Sequence, residues 1–539
     1  MEDNLTNNKR PWLNPILYSV LLLVGVIIGS LIFRERKQEK FSSNPHASVG
    51  KIDNVLDFIE QNYVDTLNRD KLEEQTLIAM LNQLDPHSEY IPAADLQKVN
   101  EPLQGNFSGV GIEFNIVSDT ICVVQPIQGG PSEKVGVKPG DRVVNVNGKT
   151  IAGVKIQSKK VFELLRGKKG TKVTLGIKRE GVKGLIDFVV TRGEIPIYSI
   201  DVSFMATKDI VYIKISRFAS ATYEEFRKAF NKLTNLGMKK LILDLRGNGG
   251  GYLDAAVNIS DEFLSKGMKI VYTQGKASPK KIHFATEKGA FENSPLVVLI
   301  DEGSASASEI VSGALQDNDR ATIIGRRSFG KGLVQEQIEI PDGSAIRLTI
   351  ARYYTPSGRC IQKSYSKGLE AYYSEEFDRY DKGEMLSVDS IHIADSLKFK
   401  TAGGKTVYGG GGITPDVFVP IDTSFRTSYL NKVSYKGILS DFAFKYTDKH
   451  RAELKVYKNG AEFIKNFNPP ASMLEDFVLY AQKEGVARNE VQLKKSSVYL
   501  LNQVKALIGR NLFDNEAYFP LILSSDKAFG AAIRKLSGQ

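Results

Sequence analysis

Apolar side chains recur every three or four positions between residues 52 and 84, and this period predicts two amphipathic helices. The first run comprises Ile52, Val55, Leu56, Ile59 and Tyr63, and the second comprises Leu77, Met80, Leu81 and Leu84. The sequence Asp85-Pro86-His87 ends the pattern, because proline disfavours helix in the residue before it. We interpret His87 as a structural residue, with a catalytic role as the alternative.

From residue 106 to residue 192 the pattern changes to short alternating runs that are typical of strands. A run at Val143–Val146 ends at Asn147-Gly148, a dipeptide typical of a tight hairpin turn. A glycine-rich turn, Gly109-Val110-Gly111-Ile112, leads into another strand. Further strands are predicted at 172–178 and 185–191, and a helix at 158–166. This segment is therefore predicted to be a small β-rich domain.

Residues 193–421 alternate between buried strands and amphipathic helices. Short apolar runs typical of buried strands occupy 240–245, 295–300 and 322–324, with helical patterns at 253–264 and 307–316. This alternation predicts parallel strands joined by right-handed crossovers. Loops at the carboxyl ends of such strands build the functional site. Here they are the glycine loop, Arg246–Gly251, and the serine loop, Asp301–Ser306.

The rest of the folded chain carries less chemistry. Pro341-Asp342-Gly343 predicts a hairpin between strands at 333–340 and 345–352. Residues 364–405 are polar and rich in tyrosine, and we interpret them as an insertion. Residues 422–539 have apolar residues at helical spacing, for which packing or contact with a partner is the default role.

An uncharged, mostly apolar stretch lies near the N-terminus, from Pro11 to Phe33. Its length fits the roughly 17–25 residues that a helix needs to span a bilayer. Arg34, Arg36 and Lys37 follow it in place of a small-residue cleavage site, so we favour an uncleaved membrane anchor over a cleaved signal. The excess of basic residues after the span, taken alone, places the body of the protein in the cytoplasm.

Composition excludes several classes of function. At 539 residues the chain is too long for one ordinary core, which predicts several domains. Two cysteines and five scattered histidines predict neither a disulfide framework nor a metal site, and we expect no cofactor. The formal charge of +10 comes from interleaved lysines and glutamates without a basic run among aromatics, so we predict no nucleic-acid partner.

The serine loop supplies a candidate nucleophile, Ser306, at the start of the helix predicted at 307–316. Alanines on both sides leave room for a substrate carbonyl, and the helix dipole favours a developing oxyanion. The N–H of Ala307 is a natural donor to that oxyanion, and Gly250 of the glycine loop is the best candidate for a second donor. The alternative is that Ser306 only caps the helix, with Glu309 as its capping-box partner.

Lys331, between Gly330 and Gly332, is the candidate base that a serine hydroxyl requires. Lysine can serve when burial makes its amine neutral near pH 7. On a strand, Gln335 shares a face with Lys331 and could orient the amine. The alternatives are a surface lysine in a glycine loop, a purely structural glutamine, and a hydrolase that uses a histidine such as His283.

Residues 106–192 resemble a PDZ domain. The resemblance rests on the glycine-rich turn at 109–112 together with the run Lys138-Pro139-Gly140-Asp141-Arg142-Val143-Val144. It implies that Gly109, Val110, Gly111 and Ile112 form a carboxylate-binding loop whose backbone N–H groups capture the C-terminus of a peptide. The peptide would then add as a strand beside residues 112–114.

Residues 50–420 as a whole resemble the C-terminal processing peptidases, also called tail-specific proteases, which are Ser/Lys endopeptidases with a PDZ domain. Besides the PDZ segment, the motifs that carry this resemblance are Leu84–Tyr90, Asp244–Gly251, Gly303–Ile310, Phe329–Gly332 with Gln335, and Tyr354–Gly358. The family often has a proline where this chain has Gly249, a departure that could loosen the glycine loop.

The resemblance assigns roles to individual residues. It implies that Ser306 is the nucleophile, Lys331 the general base and Gln335 its support. It also implies that the oxyanion donors are the backbones of Ala307 and Gly250, with Gly251 as the alternative to Gly250.

The implied fold class is a multi-domain α/β protein with a ClpP/crotonase-like protease core, an inserted PDZ domain, an N-terminal helical segment and a helical C-terminal extension. The predicted domains are an anchor at 1–40, a helical segment at 41–105, the PDZ domain at 106–192, the protease core at 193–421 and the helical extension at 422–539.

The resemblance implies a membrane-anchored serine endopeptidase that binds protein or peptide substrates by apolar C-termini. It places the protease body on the periplasmic, extracytoplasmic side of the inner membrane, against the charge count around the anchor, and allows an adaptor as a further partner. The alternative function is a peptide-binding PDZ scaffold with an inactive protease core.

Overall fold

The computed structural model describes Val24 and residues 50–538, and the chain divides into two units, residues 1–77 and 78–539. The first unit contains α1 (Lys51–Asn62), and α2 (Arg69–Leu81) begins in it, which confirms the helical prediction for this segment. The predicted anchor at 11–33 lies, apart from Val24, outside the described residues. No helix in the described part of the chain is long and apolar enough to cross a bilayer.

The second unit begins with β1 (Glu89–Ile91) and α3 (Ala93–Gln104), followed by the β-rich domain that the alternating pattern predicted. The elements of this segment are β2 (Asn106–Gly109), β3 (Ile112–Val117), β4 (Thr120–Pro126), α4 (Pro131–Lys134), β5 (Arg142–Val146), β6 (Lys149–Thr150), α5 (Ser158–Leu165), β7 (Lys172–Lys178), β8 (Ile186–Thr191) and β9 (Gly193–Pro196). One sheet has the order β3-β4-β5-β7-β8, and β2 pairs separately with β9. A core of buried aliphatic side chains, including Ile121, Val143 and Val161, fills this domain.

The α/β core follows, with strand and helix in alternation as the apolar runs predicted. Its elements are β10 (Ile200–Met205), β11 (Ile210–Ile215), α6 (Thr222–Asn235), β12 (Lys240–Asp244), α7 (Leu253–Asp261), β13 (Lys269–Gln274), β14 (Lys281–Phe284), β15 (Leu296–Ile300), α8 (Ala307–Asp317) and β16 (Thr322–Gly325). Strands β11, β12, β15 and β16 pair in parallel, which confirms the predicted pairing. The glycine loop follows β12 and the serine loop follows β15, so both loops lie at the same edge of the sheet.

A second sheet and the polar segment complete the core. Strands β17 (Leu333–Glu339) and β18 (Ala345–Tyr354) form the predicted hairpin, and β18 also pairs with β1 and β13. The tyrosine-rich segment contains α9 (Leu369–Asp381), two 3₁₀ turns, β19 (Lys398–Lys400) and β20 (Thr406–Tyr408). Strand β21 (Val417–Phe418) pairs with β16 at the edge of the sheet that contains β11, β12 and β15, which we call the first sheet.

The C-terminal segment is helical, as its spacing predicted. It comprises α10 (Ser428–Tyr435), α11 (Ile438–Lys449), α12 (Arg451–Leu454), α13 (Gly460–Asn466), α14 (Met473–Lys483), α15 (Glu490–Leu523, kinked at Phe513–Asp514) and α16 (Lys527–Ser537). We call this segment the helical extension. It has its own apolar core, and α16 packs against the face of the first sheet through Ala528, Ala532 and Leu536.

The helical extension also contacts the β-rich domain. Phe444 of α11 packs on Cys122 and Val124 of β4. Asp448 Oδ2 accepts a hydrogen bond from Arg142 Nη2 at 2.5 Å. The default role of packing is therefore realised on two neighbouring domains at once.

Candidate active site

The residues singled out in the serine loop and after it line one cavity. A cavity of about 940 Å³ is bordered by Ser306, Lys331 and Gln335, together with Gly249–Gly251. Apolar side chains complete its wall, among them Leu253, Ala255, Ile310 and Leu333. Three elements meet there: the start of α8, the residues before β17, and the glycine loop after β12.

Ser306 stands immediately before α8 in an unusual backbone conformation, with φ 53° and ψ −111°. A non-glycine residue at such a dihedral pair stores on the order of 1–3 kcal/mol of strain, and such residues cluster at functional sites. The backbone N–H of Ser306 donates to Glu309 Oε2 at 2.8 Å. The capping-box partner expected from the sequence is therefore present on the Glu309 side.

Glu309 does more than cap the helix, because its buried carboxylate accepts four hydrogen bonds. Oε2 accepts from the N–H groups of Ser306 (2.8 Å) and Lys331 (2.9 Å). Oε1 accepts from the N–H of Gly330 (2.8 Å) and the hydroxyl of Ser328 (2.5 Å). Burial raises the pKa of this carboxyl to about 7, although the donors oppose the shift. One carboxylate thus joins the backbone of Ser306 to that of Lys331.

Tyr353 joins the same two residues through their carbonyl groups. Its hydroxyl lies 2.6 Å from the carbonyl oxygen of Lys331 and 3.1 Å from that of Ser306. The side chain is 1% exposed, and burial raises its pKa far above the usual value, so it remains a neutral donor. Ser306 and Lys331 are therefore fixed relative to each other from two sides by two buried side chains.

The amine of Lys331 has a lowered pKa and a hydrogen-bond partner. Burial, followed by the positive charge of Arg347, lowers the pKa of Lys331 below its usual value. Its Nζ donates to Gln335 Oε1 at 2.9 Å. The geometry therefore places an amine with a lowered pKa in the cavity that Ser306 lines, with the amide of Gln335 as its partner.

Gln335 reaches Lys331 by a different route from the one predicted. Lys331 precedes β17 rather than lying on it, and the register of β17 shifts between Val334 and Gln335. The prediction of a shared face on a regular strand was therefore wrong in its geometry, although the contact itself is present. The Gln335 amide also donates to the carbonyl of His87, which fixes which end of the amide faces the lysine.

His87 takes part through its backbone carbonyl, while its ring packs elsewhere. The ring nitrogen Nε2 lies 2.8 Å from the hydroxyl of Tyr372 on α9. Burial and the nearby Lys331 lower the pKa of His87 to about 4, so the ring is neutral at physiological pH. This arrangement fits the structural interpretation of His87. The other histidine considered, His283, lies on β14 opposite Val271 and does not border the cavity.

The glycine loop approaches Ser306 closely. Gly250 has φ +102°, and a Cβ there would lie 2.8 Å from Ser306 Cβ, so the position requires glycine. The N–H of Gly250 donates to Asn248 Oδ1 at 2.8 Å. Within residues 50–538, the N–H groups of Gly251 and Ala307 donate no hydrogen bond. Two of the three predicted oxyanion donors are thus unpaired, whereas Gly250 is turned to a side chain.

The predicted carboxylate-binding loop lies between β2 and β3. The carbonyl of Val110 accepts from the N–H and the hydroxyl of Ser132, and the carbonyl of Gly111 accepts from Ile127 N–H at 3.0 Å. In the part of the chain that the structure describes, the N–H groups of Val110 and Gly111 donate to no acceptor. Among the strands of the described residues, β3 pairs only with β4, so its other edge has no strand partner there.

No group of three or more histidine, cysteine or acidic side chains among the described residues could hold a metal ion.

The residues missed by the sequence interpretation are those that hold the candidate site residues in position. Glu309 was visible only as a cap. The roles of Tyr353 and of the His87 carbonyl depend on contacts across 22 or more positions, for which the local pattern carries no signal.

Comparison with known proteins finds matches to a peptidase family and to a PDZ domain. The model of peptidase family S41 matches residues 209–371, a PDZ domain model matches residues 122–179, and a family of unknown function matches residues 429–514. The structure of a photosystem II D1 C-terminal processing protease shares 26% identity, with coverage of 68% of this chain and 92% of that one and a TM-score of 0.34.

Two curated relatives are similar over most of the chain. The carboxy-terminal processing protease CtpA of Bacillus subtilis is 34% identical over 382 residues, which cover 70% of this chain and 80% of the relative. The carboxy-terminal-processing protease of Bartonella bacilliformis is 36% identical over 350 residues, with coverage of 64% and 80%. These similarities confirm the family and the multi-domain α/β fold with a PDZ domain. The chain belongs to the carboxy-terminal processing proteases, the PDZ-containing serine peptidases of family S41.

Proposed function

We propose that this chain is a membrane-anchored endopeptidase that binds the C-terminal tails of proteins through its PDZ domain and cleaves them with a Ser306–Lys331 dyad. One observation carries the dyad. Two buried side chains, Glu309 and Tyr353, hold Ser306 and Lys331 together at a cavity where the pKa of the lysine is lowered. A surface lysine in a flexible loop would have neither feature.

The reaction follows from the groups at the cavity. Neutral Lys331 accepts the proton of the Ser306 hydroxyl while Oγ attacks the carbonyl carbon of the substrate. The C–N bond then breaks, the departing amine takes the proton back from the Lys331 ammonium, and an ester to Ser306 remains. Lys331 next accepts a proton from a water molecule, whose oxygen attacks the ester carbon. As the bond from that carbon to Ser306 Oγ breaks, Oγ takes the proton back from Lys331 and the acid product leaves.

The developing oxyanion needs donors that are free to reach it. The unpaired N–H groups of Ala307 and Gly251 support these two residues as donors. Gly250 would serve only after giving up its hydrogen bond to Asn248. Gln335 holds the lysine amine in place through a 2.9 Å hydrogen bond and is proposed as a positioning residue.

Recognition of an apolar tail is proposed for the PDZ domain. The unpaired N–H groups of Val110 and Gly111 suit a carboxylate, with Gly109 and Ile112 completing the loop, and the open edge of β3 suits strand addition. The aromatic rings of Phe114 on β3 and Phe162 on α5 lie 5.6 Å apart, an apolar surface next to that edge. Such a surface favours an apolar residue at the end of the tail.

The test compares the wild type with Ser306→Ala and Lys331→Ala on an unfolded reporter that ends in an apolar tail. We expect cleavage by the wild type and a loss of at least about 10³-fold in each variant, since the nucleophile and its base act as a unit. Mass spectrometry of the products checks this. Turnover within a few-fold of the wild type in either variant would refute the dyad. An inert wild type would favour the peptide-binding scaffold.

The anchor and the extracytoplasmic location are part of the same proposal. They rest on the uncharged stretch at 11–33. We expect the full chain to stay with membranes during alkaline carbonate extraction, and a chain that begins at residue 41 to be released. In spheroplasts of a bacterial host, added protease should digest the body of the full chain, and a protected body would contradict this orientation.

A further inference from the structure

The helical extension contacts the first residue of the glycine loop. Helix α16 packs on the first sheet, where Ala528 and Ala532 belong to one apolar cluster with Tyr212 and Ile242. The residue before this helix is Asp526, and its Oδ1 accepts a hydrogen bond from the N–H of Phe529 at 2.7 Å, as a helix cap does. One oxygen of Asp526 is thereby committed to the helix.

The other oxygen of Asp526 binds Arg246, the first residue of the glycine loop. Arg246 Nη1 lies 2.8 Å from Asp526 Oδ2. The remaining donors of the guanidinium face Asp244 at the end of β12, with Nη2 at 2.6 Å from Asp244 Oδ2. Asp244 is 1% exposed and Asp526 is 28% exposed. The arginine is therefore held between a carboxylate of the protease core and a carboxylate of the helical extension.

The backbone of Arg246 starts the path to Ser306. Its N–H donates to Asp244 Oδ1 at 2.8 Å, and its carbonyl accepts from Lys214 Nζ at 2.8 Å. Four residues later, Gly250 lies against Ser306. Asp526 is thus linked, through Arg246, to the start of the loop whose Gly250 lies against Ser306.

We propose that Asp526 is a positioning residue of the peptidase site, which sets the glycine loop against Ser306 by holding Arg246. This inference rests on the proposed function, because the loop matters for catalysis only if Ser306 is the nucleophile. Asp526 lies beyond the peptidase match at 209–371 and beyond the match of unknown function at 429–514. The helical extension thus contributes to the site from outside the recognised peptidase core.

The diagnostic variant is Asp526→Asn in the full chain. Asparagine caps a helix as well as aspartate does, so the helix start is preserved, but its NH₂ group faces Arg246 and the ion pair is lost. Asp422→Asn is the matched control. Asp422 Oδ1 pairs with Lys527 Nζ at 3.1 Å, at the start of the same helix, and the pair does not involve Arg246.

The catalytic measurement first determines the concentration of active sites and then the rate of cleavage. Titration with a fluorophosphonate gives the concentration of competent Ser306, and kcat is expressed per titrated site. For Asp526→Asn we expect kcat and the affinity for a peptide boronate to fall together by about 10-fold, less than the roughly 10²–10³-fold that removal of an oxyanion donor costs. KM should stay within 2-fold of the wild-type value, as roughly expected when only transition-state stabilisation is lost. Asp422→Asn should match the wild type in both.

A second readout is independent of activity. Hydrogen exchange of the peptide that covers residues 245–252 should be about 10-fold faster in Asp526→Asn than in Asp422→Asn, because Arg246 loses one of its two carboxylate partners. A kcat per site within 2-fold of the wild type with unchanged exchange would overturn the inference, and so would a rise in KM alone. Faster exchange in an inert protein would instead retain the positioning role of Asp526 and reject the proposed peptidase activity.

Discussion

The two loops that meet at Ser306 are held in opposite ways. The serine loop and the lysine segment are joined from inside the core by Glu309 and Tyr353, which are 0% and 1% exposed. The first residue of the glycine loop, Arg246, is held by the partly exposed Asp526, which lies nearer the protein surface. The loops also touch each other, since the carbonyl of Asn248 accepts from Ala305 N–H and from the Ser308 hydroxyl.

This difference separates two catalytic tasks. The link between the backbones of Ser306 and Lys331, the proposed nucleophile and base, runs through Glu309 and Tyr353, both within the peptidase match. The position of the glycine loop depends in addition on a residue near the end of the chain. A change in the helical extension can therefore alter the oxyanion side of the reaction while the Ser306–Lys331 geometry is kept. The opposite is expected for changes in the buried centre.

The largest effect is expected at Glu309, because it serves both catalytic segments. In Glu309→Gln, one oxygen is replaced by an NH₂ group, which cannot accept from the two donors that the oxygen served: two N–H groups at Oε2, or one N–H and a hydroxyl at Oε1. Leaving buried donors unpaired costs about 1–3 kcal/mol each, so we expect the free energy of unfolding to fall by roughly 3 kcal/mol. The rate should fall by at least about 10²-fold, as misplaced groups do. Urea unfolding and kcat per titrated site measure the two losses.

Glu302→Gln is the control for Glu309. Glu302 lies in the serine loop and pairs with Arg326 at 2.7 Å, but it does not join Ser306 to Lys331. Its loss should cost about 1 kcal/mol and leave kcat per site within a few-fold. Equal effects of the two variants on kcat would contradict the role of Glu309 in holding Ser306 and Lys331 together.

Glu309 also predicts a pH dependence of stability. With a folded pKa of about 7 against a usual value of 4.5, the folded state binds this proton more tightly than the unfolded chain. Its contribution to stability is therefore complete below pH 4.5 and is lost as the pH rises to about 7. Glu309→Gln should lack this part of the slope in a series of urea melts, and an unchanged slope would argue against the assignment.

A smaller effect on the same centre is expected from Arg347, which helps to lower the pKa of Lys331. Because the proposed base, Lys331, would act in its neutral form, kcat/KM should rise with pH through the lysine pKa. In Arg347→Gln a positive charge is removed, so the pKa of Lys331 rises. The rising part of the plot of kcat/KM against pH, its ascending limb, should move to higher pH, and the plateau value of kcat/KM should stay the same. Arg347→Lys keeps the charge and should leave the limb in place. The Asp526→Asn variant should not move it either, since Asp526 acts on the glycine loop.

The sequence indicated the candidate residues of this site better than it indicated the contacts that hold them in place. Ser306 and Lys331 stood out because a small-residue loop before a helix and a lysine between glycines are local patterns. The parallel strands and the position of both loops followed from the alternation of apolar runs, which the structure confirms. These features depend on neighbours along the chain, and periodicity records such neighbours.

The supports could not be predicted because they are contacts between distant segments. In the sequence, nothing distinguishes Tyr353 from other aromatic residues of predicted strands. The fold brings its hydroxyl to the carbonyl of Ser306. The bulge at Val334–Gln335 breaks the alternation that the prediction for Gln335 assumed. Asp526 reads as an ordinary helix cap, and only the packing of α16 on the sheet brings it to Arg246. For this chain, burial and long-range pairing decide these roles.

The smallest expected effect tests the glycine loop itself at two adjacent positions. Gly249 is exposed, its φ is not positive, and a Cβ there would meet no atom within 4 Å. Gly249→Ala should raise the free energy of unfolding by about 0.5 kcal/mol, since alanine restricts the unfolded chain without strain in the folded one. Gly250→Ala should do the reverse, because its Cβ would lie 2.8 Å from Ala305 O and from Ser306 Cβ. Urea unfolding of both variants measures the contrast. A loss of stability in Gly249→Ala would mean that glycine is required at this position, and that the loop is held more tightly than the contact between Arg246 and Asp526 implies.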